Sequence, residues 1–458
     1  MASPSVEFAR GNQQRFLGEL KDLLRIPSVS TAPEHKADIL RAADFVAAEL
    51  RRIGLENVEI IPTKGHPLIY ADWLHAAGKP TALCYAHYDV QPAEPLDEWT
   101  TPAFEPAERN NNIYARGAVD DKGQLWMEVK ALESLMQAHG GKLPINVKVL
   151  FEGEEEVGGE SIAAYIRTAK AKLKADFALV CDTELFAPNL PTLCVGLRGL
   201  VYTEIEARGA KTDLHSGMYG GAAPNPLFAL IEIISKLKDA KGKVLIPGFY
   251  KSVKAPTKDE LKAWKRLPFN EEHYRKSEVG SKVLTGEPGY SVLYRTWARP
   301  TLEVHGMPGG FVAAGAKTVI PAKASAKVSM RLVPKQDPND IFKRYSNFVK
   351  KLTPKGIDIK ISVHSKGPAC VVGTDNPYIK AATDALHETF KKPTVFIRSG
   401  GSIPIVADFQ DVLNVPSVMM GFGLPDDNIH APNEKFHIPN FHRGIETICL
   451  FFEKLGGL

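Results

Sequence analysis

Five clusters of histidine and carboxylate residues stand beside strongly apolar segments of this 458-residue chain. TALCYAHYDV brings His87 and Asp89, and NVKVLFEGEEEVGG brings Glu154, Glu155 and Glu156. DFALVCDTE brings Asp182, and PSVMMGFG leading into PDDNIHAPNE brings His430. RGAVDDKG sets Asp120 and Asp121 directly ahead of a helical pattern. In an open α/β sheet, ligands gather beyond the carboxyl ends of the strands. Acidic and imidazole groups converging on one such edge would repel each other badly without cations to hold them. The chemistry this implies is metal binding.

Each cluster also has a bland reading. One residue separates His87 from Asp89, so on extended chain both side chains point the same way. There the carboxylate can take the imidazole N–H and fix which ring nitrogen faces a metal; alternatively His87 caps a strand beside an unrelated Asp. Asp121 reads as the N-cap of the following helix, which leaves Asp120 unexplained unless it bridges two cations. The E-E-E run is either a solvated acidic turn or a ligand beside a general base for a metal-activated water. His87, Asp120, Glu156, Asp182 and His430 make a set of five. With Asp120 bridging, each of two ions has a His, a terminal carboxylate and a share of Asp120, and a water bridging the ions takes the remaining position. The His/carboxylate mix without Cys favours Zn, Mn or Co. His215 in D-L-H-S-G and Ser402 in R-S-G-G-S-I-P carry no claim by themselves.

The elements that position these residues follow from periodicity. FLGELKDLLRIP spaces Phe16, Leu20, Leu23 and Leu24 as a helix that stops before Pro27. A second amphipathic helix covers about Ala37 to Ile53, and a third follows Asp121 with Leu125, Val129, Leu132 and Met136 as its stripe. GLRGLVYTEIEA alternates like a half-buried antiparallel strand, which marks a domain change near Leu197. AKASAKVSMRLVP alternates again, with Arg331 on its polar face beside Lys327. TKDE ahead of LKAW has the form of a capping box. From about Pro368 long helix and apolar strand resume. The expected division is a catalytic domain in two parts, 1–196 and 368–458, with an inserted domain at 197–367.

Bulk properties set the class. Apolar content of 44% and charged content of 24% are those of a globular protein. Lys+Arg of 57 against Asp+Glu of 53 leaves a net charge of +4, which does not suggest nucleic acid or anionic membrane as a partner. The five cysteines are scattered without C-x-x-C, so buried free thiols are expected. The N-terminal residues have no basic-then-apolar leader pattern and no run is long enough to span a bilayer, so a cytoplasmic location is expected.

In order along the chain, A-H-Y-D-V, R-G-x-x-D-D-K-G, E-G-E-E-E-V-G, D-L-H-S-G, R-L-V-P and S-G-G-S-I-P resemble the motifs of the dinuclear-zinc exopeptidases. That family includes carnosinases and cytosolic non-specific dipeptidases, with acetylornithine deacetylases and succinyl-diaminopimelate desuccinylases as relatives. The resemblance implies an α/β fold in which a mixed-sheet catalytic domain carries an inserted α+β dimerisation, or lid, domain. It implies two divalent ions per subunit, zinc ahead of manganese, with His87, Asp120, Glu156, Asp182 and His430 as ligands. By the same resemblance Glu155 is the general base, because the family pattern E-E-x-G fixes the register at Val157-Gly158. Asp89 orients His87, and the Asp120–Asp121 peptide is cis. His215 reaches the partner subunit's site and stabilises the oxyanion. Thr318, Arg331, His364 and Ser402 hold the substrate's C-terminal carboxylate and scissile group. The expected activity is hydrolysis of dipeptides or short peptides with a free C-terminus by a cytoplasmic homodimer. The nearest rival is an N-acyl amino acid deacylase with the same centre. A metal-dependent phosphoesterase would need a phosphate cradle, for which Arg116 and Lys122 are thin support. A non-catalytic relative would have no reason to retain Glu155 and all five ligands.

Overall fold

The computed structural model describes residues 3–457. The chain divides into two compact units. The first comprises Met1–Val195, Val372–Ile397 and Ile405–Leu458, and the second Gly196–Val371 and Arg398–Pro404. The second unit is mostly the continuous stretch Gly196–Val371. It also takes in the 398–404 segment, which the pattern had left with the C-terminal part.

In the first unit, helix α1 (Gln13–Leu24) buries Phe16, Leu17, Leu20, Leu23 and Leu24. Helix α2 (Lys36–Arg52) buries Ile39, Ala42, Ala43, Val46, Ala47 and Leu50. Both follow the 3.6-residue spacing that makes one apolar face. The sheet is mixed. Its strands include β1 (Glu56–Ile61), β2 (Leu68–Trp73), β3 (Thr81–His87), β4 (Asn146–Glu152), β5 (Phe177–Val180) and β6 (Thr192–Leu197), with Ser417–Met419 supplied from late in the chain. The spatial order is β1, β2, β4, β3, β5, Ser417–Met419, β6. The four central strands, β4, β3, β5 and Ser417–Met419, run parallel, while β1, β2 and β6 are antiparallel to their neighbours. The central strands are buried along nearly their whole length. This explains their continuous apolar runs, since a parallel strand is covered on both faces.

Helix α3 (Lys122–Ala138) is buried from Lys122 to Met136, well beyond the four-residue stripe seen in the sequence. Its first turn lies so close to the preceding loop that a Cβ on Gly123 would meet the Ala118 carbonyl oxygen at 1.9 Å. The C-terminal helix Ile438–Gly456 packs beside α3. All five cysteines are buried. Among the described residues no helix is long and apolar enough to cross a membrane.

The second unit holds a four-stranded antiparallel sheet of β7 (Gly199–Arg208), β8 (Thr301–Gly306), β9 (Lys323–Leu332) and β10 (Asp358–Gly367), in the order β8, β9, β7, β10. Strict alternation sends Val201, Ile205, Ala207, Ala326, Val328, Met330 and Leu332 into one core with Leu230 and Ile233 of Pro226–Ser235 and Ile341, Tyr345 and Val349 of Pro338–Leu352. The capping box forms: Thr257 and Glu260 satisfy each other's backbone at the start of Lys258–Lys265.

Candidate metal centre

Parallel register aligns the strand ends that carry the chemistry. His87 closes β3 opposite Glu152 at the end of β4, and Tyr85 lies opposite Val180 of β5. The three loops that follow hold Asp89, the E-E-E run and Asp182. Ser417–Met419 pairs with β5 and feeds the loop that holds His430. That loop approaches closely: a Cβ on Gly421 would meet the Thr183 carbonyl oxygen at 1.8 Å.

Asp120 stands at the middle. Its Oδ1 is 3.0 Å from His87 Nε2 and its Oδ2 is 3.0 Å from His430 Nε2. Glu156 Oε2 is 3.3 Å from the same His430 nitrogen. Two groups of donor atoms result, each with all members within 4.8 Å: His87, Asp120 and Asp182, and Asp120, Glu156 and His430. They share Asp120. Glu156 Oε1 is buried without a hydrogen-bond partner, an orphaned acceptor of the kind a cation satisfies. Two imidazoles, three carboxylates and no thiolate fit a pair of divalent ions.

The electrostatics carry the same message. Burial raises the Asp182 carboxyl well above its ordinary range, and Asp121, Asp120 and Glu156 raise it further against the opposing pull of His87. Burial likewise raises Glu155, with Asp182, Glu156 and Asp120 adding to it and His87 opposing. Asp120 goes the other way: burial would raise it, but hydrogen bonds from His430 and His87 hold it well below. Those contacts with Asp120 and Glu156 push His430 up to about 10. Negative charge is in excess here, and protons or cations must offset it.

Asp89 does more than face the imidazole. His87 Nδ1 lies 3.1 Å from the Asp89 carbonyl and 3.3 Å from its Oδ1. The same carboxylate accepts the Glu155 N–H at 3.2 Å and the Glu156 N–H at 3.1 Å. One buried side chain therefore sets both the ring of His87 and the turn carrying the two glutamates. Asp121 occupies the N-cap position of α3, yet its side chain caps nothing. It accepts the His87 backbone N–H at 3.1 Å instead. The Asp120–Asp121 peptide is cis.

Two contributors escaped the sequence reading. Buried Glu434 accepts from Arg116 Nη1 at 2.7 Å and from the N–H groups of Gly117, Val119 and Asp120 at 3.0, 3.0 and 3.1 Å, clamping the loop that presents Asp120. Gln91 donates to Glu156 Oε2 at 2.7 Å. The one available signal was the N-E pair closely following His430.

His215, Thr318, Arg331, His364 and Ser402 all lie in the second unit, where they form three separate associations. His215 and Thr318 are neighbours: Leu214–His215 pairs with Val319–Ile320, and Ser216 N–H donates to the Thr318 carbonyl at 3.1 Å. Arg331 Nη1 donates to Ser402 Oγ at 2.8 Å. Arg331 is half-buried on β9. His364, exposed on β10, contacts Glu204 at 3.2 Å and the Tyr202 ring.

Parallel strand ends that gather two histidines and three carboxylates about a shared aspartate define a metal-dependent hydrolase. The chain belongs to peptidase family M20/M25/M40, whose profile matches residues 83–454, and is a metallopeptidase. It is 31% identical over 464 residues to the Cys-Gly metallodipeptidase of Schizosaccharomyces pombe, covering 97% of this chain and 96% of that one. To the human β-Ala-His dipeptidase it is 29% identical, covering 98% and 91%. Among solved structures, a metallo-carboxypeptidase from Sulfolobus solfataricus superposes with a TM-score of 0.89 at 32% identity, over 97% of this chain and 99% of that one. A dipeptidase from Saccharomyces cerevisiae gives 0.88 at 30% identity, over 99% and 98%.

Proposed function

We propose that the protein hydrolyses the peptide bond of dipeptides or short peptides with a free C-terminus, with two divalent ions, zinc ahead of manganese. One would be held by His87, Asp120 and Asp182 and the other by Asp120, Glu156 and His430. The observation that carries this reading is Asp120, whose two oxygens each face a different imidazole at 3.0 Å. Relatives named for Cys-Gly and β-Ala-His dipeptides, aligned over almost the whole chain, support the substrate class.

When bound, the ions supply Lewis acidity, polarising the scissile carbonyl and bringing the ionisation of water near neutral pH. The protein's own work is to move protons and position groups. Glu155, next to a ligand and raised above its ordinary value by burial, takes the proton of the attacking water and returns it to the leaving amine. Asp89 holds Glu155 and His87 in relation to each other. Arg331 and Ser402 receive the substrate carboxylate, His215 stabilises the developing oxyanion, and Thr318 and His364 line the substrate.

The second unit is assigned to homodimerisation, with His215 acting in the partner's site. Met218 and Phe228, 74% and 71% exposed on that unit, are large apolar side chains that a lone subunit would leave in water. Mixing His215→Ala with Glu155→Gln subunits should then restore activity in the heterodimer. Inactivity at every ratio, with exchange confirmed, would remove the shared site.

The decisive test of the chemistry separates adjacent glutamates. Glu155→Gln should abolish turnover with both metals retained, whereas Glu156→Gln should lower metal content. Swapped phenotypes would reassign the base.

A further inference from the structure

Arg198 stands at the start of the inserted unit, one residue before β7, and is bound to a loop about 200 residues further along the chain. Its backbone N–H donates to the Gly401 carbonyl at 3.1 Å and its Nε donates to the Gly400 carbonyl at 2.9 Å. Its own carbonyl accepts from Ser402 Oγ. That same hydroxyl oxygen receives Arg331 Nη1 at 2.8 Å. The two arginines are therefore joined through one serine, and Arg198 fixes the Gly-Gly-Ser loop at three points. A Cβ on Gly400 would come within 3.0 Å of Arg198 Nη2, so glycine there lets the guanidinium lie against the loop.

Neither guanidinium has a counter-ion. Among the described residues no carboxylate lies within ion-pair distance of Arg198 or Arg331, whereas in the same unit Arg299 pairs with Glu287 and Arg398 with Glu260. Burial and then the charge of Arg331 pull Arg198 down to about 10, with Glu303 and Tyr274 opposing. Burial also lowers Arg331. Two half-buried like charges without a partner are unfavourable in the protein as it stands, and an anion between them relieves both desolvation and repulsion.

We propose that Arg198 is a second cationic arm of the substrate-carboxylate subsite, positioning the Gly400–Ser402 loop and sharing with Arg331 the terminal carboxylate of the peptide. This rests on the free-C-terminus reading above and adds a specificity residue to it. A guanidinium serves such a role because it keeps N–H groups for the ligand after others are committed to the protein.

The test compares a dipeptide with its C-terminal amide on metal-loaded wild type, Arg198→Gln and Arg198→Lys, with melting temperature and metal content measured alongside. The wild-type preference for acid over amide checks the reading alone. If wild type cleaves both equally, that reading falls and the proposal falls with it. Given a clear preference, Arg198→Gln is expected to raise KM for the acid about 10- to 100-fold with kcat changed less than about 3-fold, the loss expected for a hydrogen bond to a charged group. The amide kinetics should not move, and competitive inhibition by the free C-terminal amino acid should weaken in step with KM. Arg198→Lys keeps the charge but not the Nε bond to Gly400, and should raise KM for the acid by less. Should the Gln variant fail to fold, the Lys variant decides by the same contrast. Equal losses on acid and amide, or an unchanged KM for the acid, overturn the proposal and leave Arg198 as a loop staple.

Discussion

The two units carry opposite charge deficits. In the first, the carboxylates of Asp120, Glu155, Glu156 and Asp182 crowd at the ends of parallel strands with only two imidazoles among them. In the second, Arg198 and Arg331 meet at the end of an antiparallel sheet, among the described residues without an acidic partner in ion-pair distance. Some other buried charges are paired within the protein: Lys130 sits among Glu19, Glu49 and Glu133, and Arg116 pairs with Glu434. A buried charge is tolerated when a partner is always present, or when one arrives from outside. The acidic site calls for cations and the basic site for an anion.

Breaking the acidic half should have the largest effect. Chelation is expected to abolish activity, and zinc or manganese to restore it. Glu155→Gln should cost at least about 10²–10⁴-fold in kcat with metal content unchanged. Metal should also stabilise the fold, by about 2.7 kcal/mol when free metal is 100 times its Kd, visible as a higher melting temperature. Full turnover by metal-free protein would end the comparison.

Next comes the support beneath the acidic site. Glu434→Ala strips the buried Arg116 of its partner and frees three N–H groups of the Asp120 loop. The expected loss is about 3–5 kcal/mol of stability, together with weaker metal binding. Denaturant unfolding and metal titration check this, and unchanged metal affinity would confine Glu434 to stability alone.

On the basic half, Arg331→Met should cost about 2–5 kcal/mol in kcat/KM for dipeptides, because one partner of a desolvated pair is removed. The effect on amidated dipeptides should be much smaller. Comparable losses on both would return Arg331 to a structural role.

The smallest effect sharpens the contrast by using a first-unit histidine outside the acidic cluster. Burial lowers His442 to about 4, and its Nδ1 has no partner. A depressed folded-state value means that the unfolded chain takes up the proton first. The stability from neutral His442 is complete above about pH 6.5 and declines as pH falls toward 4. His442→Phe should flatten that decline, by on the order of 1–3 kcal/mol in the difference between pH 7 and pH 4. Identical pH dependence in both proteins would show that His442 is hydrated.

The sequence by itself determined the local elements, because the periods of helix and strand are written in neighbouring residues. The spacing of Phe16, Leu20 and Leu24, the alternation from Gly199 to Arg208 and the Thr257–Glu260 cap all have their structural counterparts. It also singled out His87, Asp120, Glu156, Asp182 and His430, since a polar cluster closing an apolar strand is conspicuous in a linear pattern. What the tertiary structure decided is how single polar side chains connect across the chain. Asp121 looked like a helix cap and instead serves the His87 backbone. Glu434 reaches a loop more than 300 residues away, and Arg198 a loop about 200 away. The 398–404 segment joins the second unit although its neighbours on both sides belong to the first. A hydrogen bond depends on the direction and distance of two atoms that only the folded sheet brings together, and no periodicity near Arg198 or Glu434 records where the partner will be.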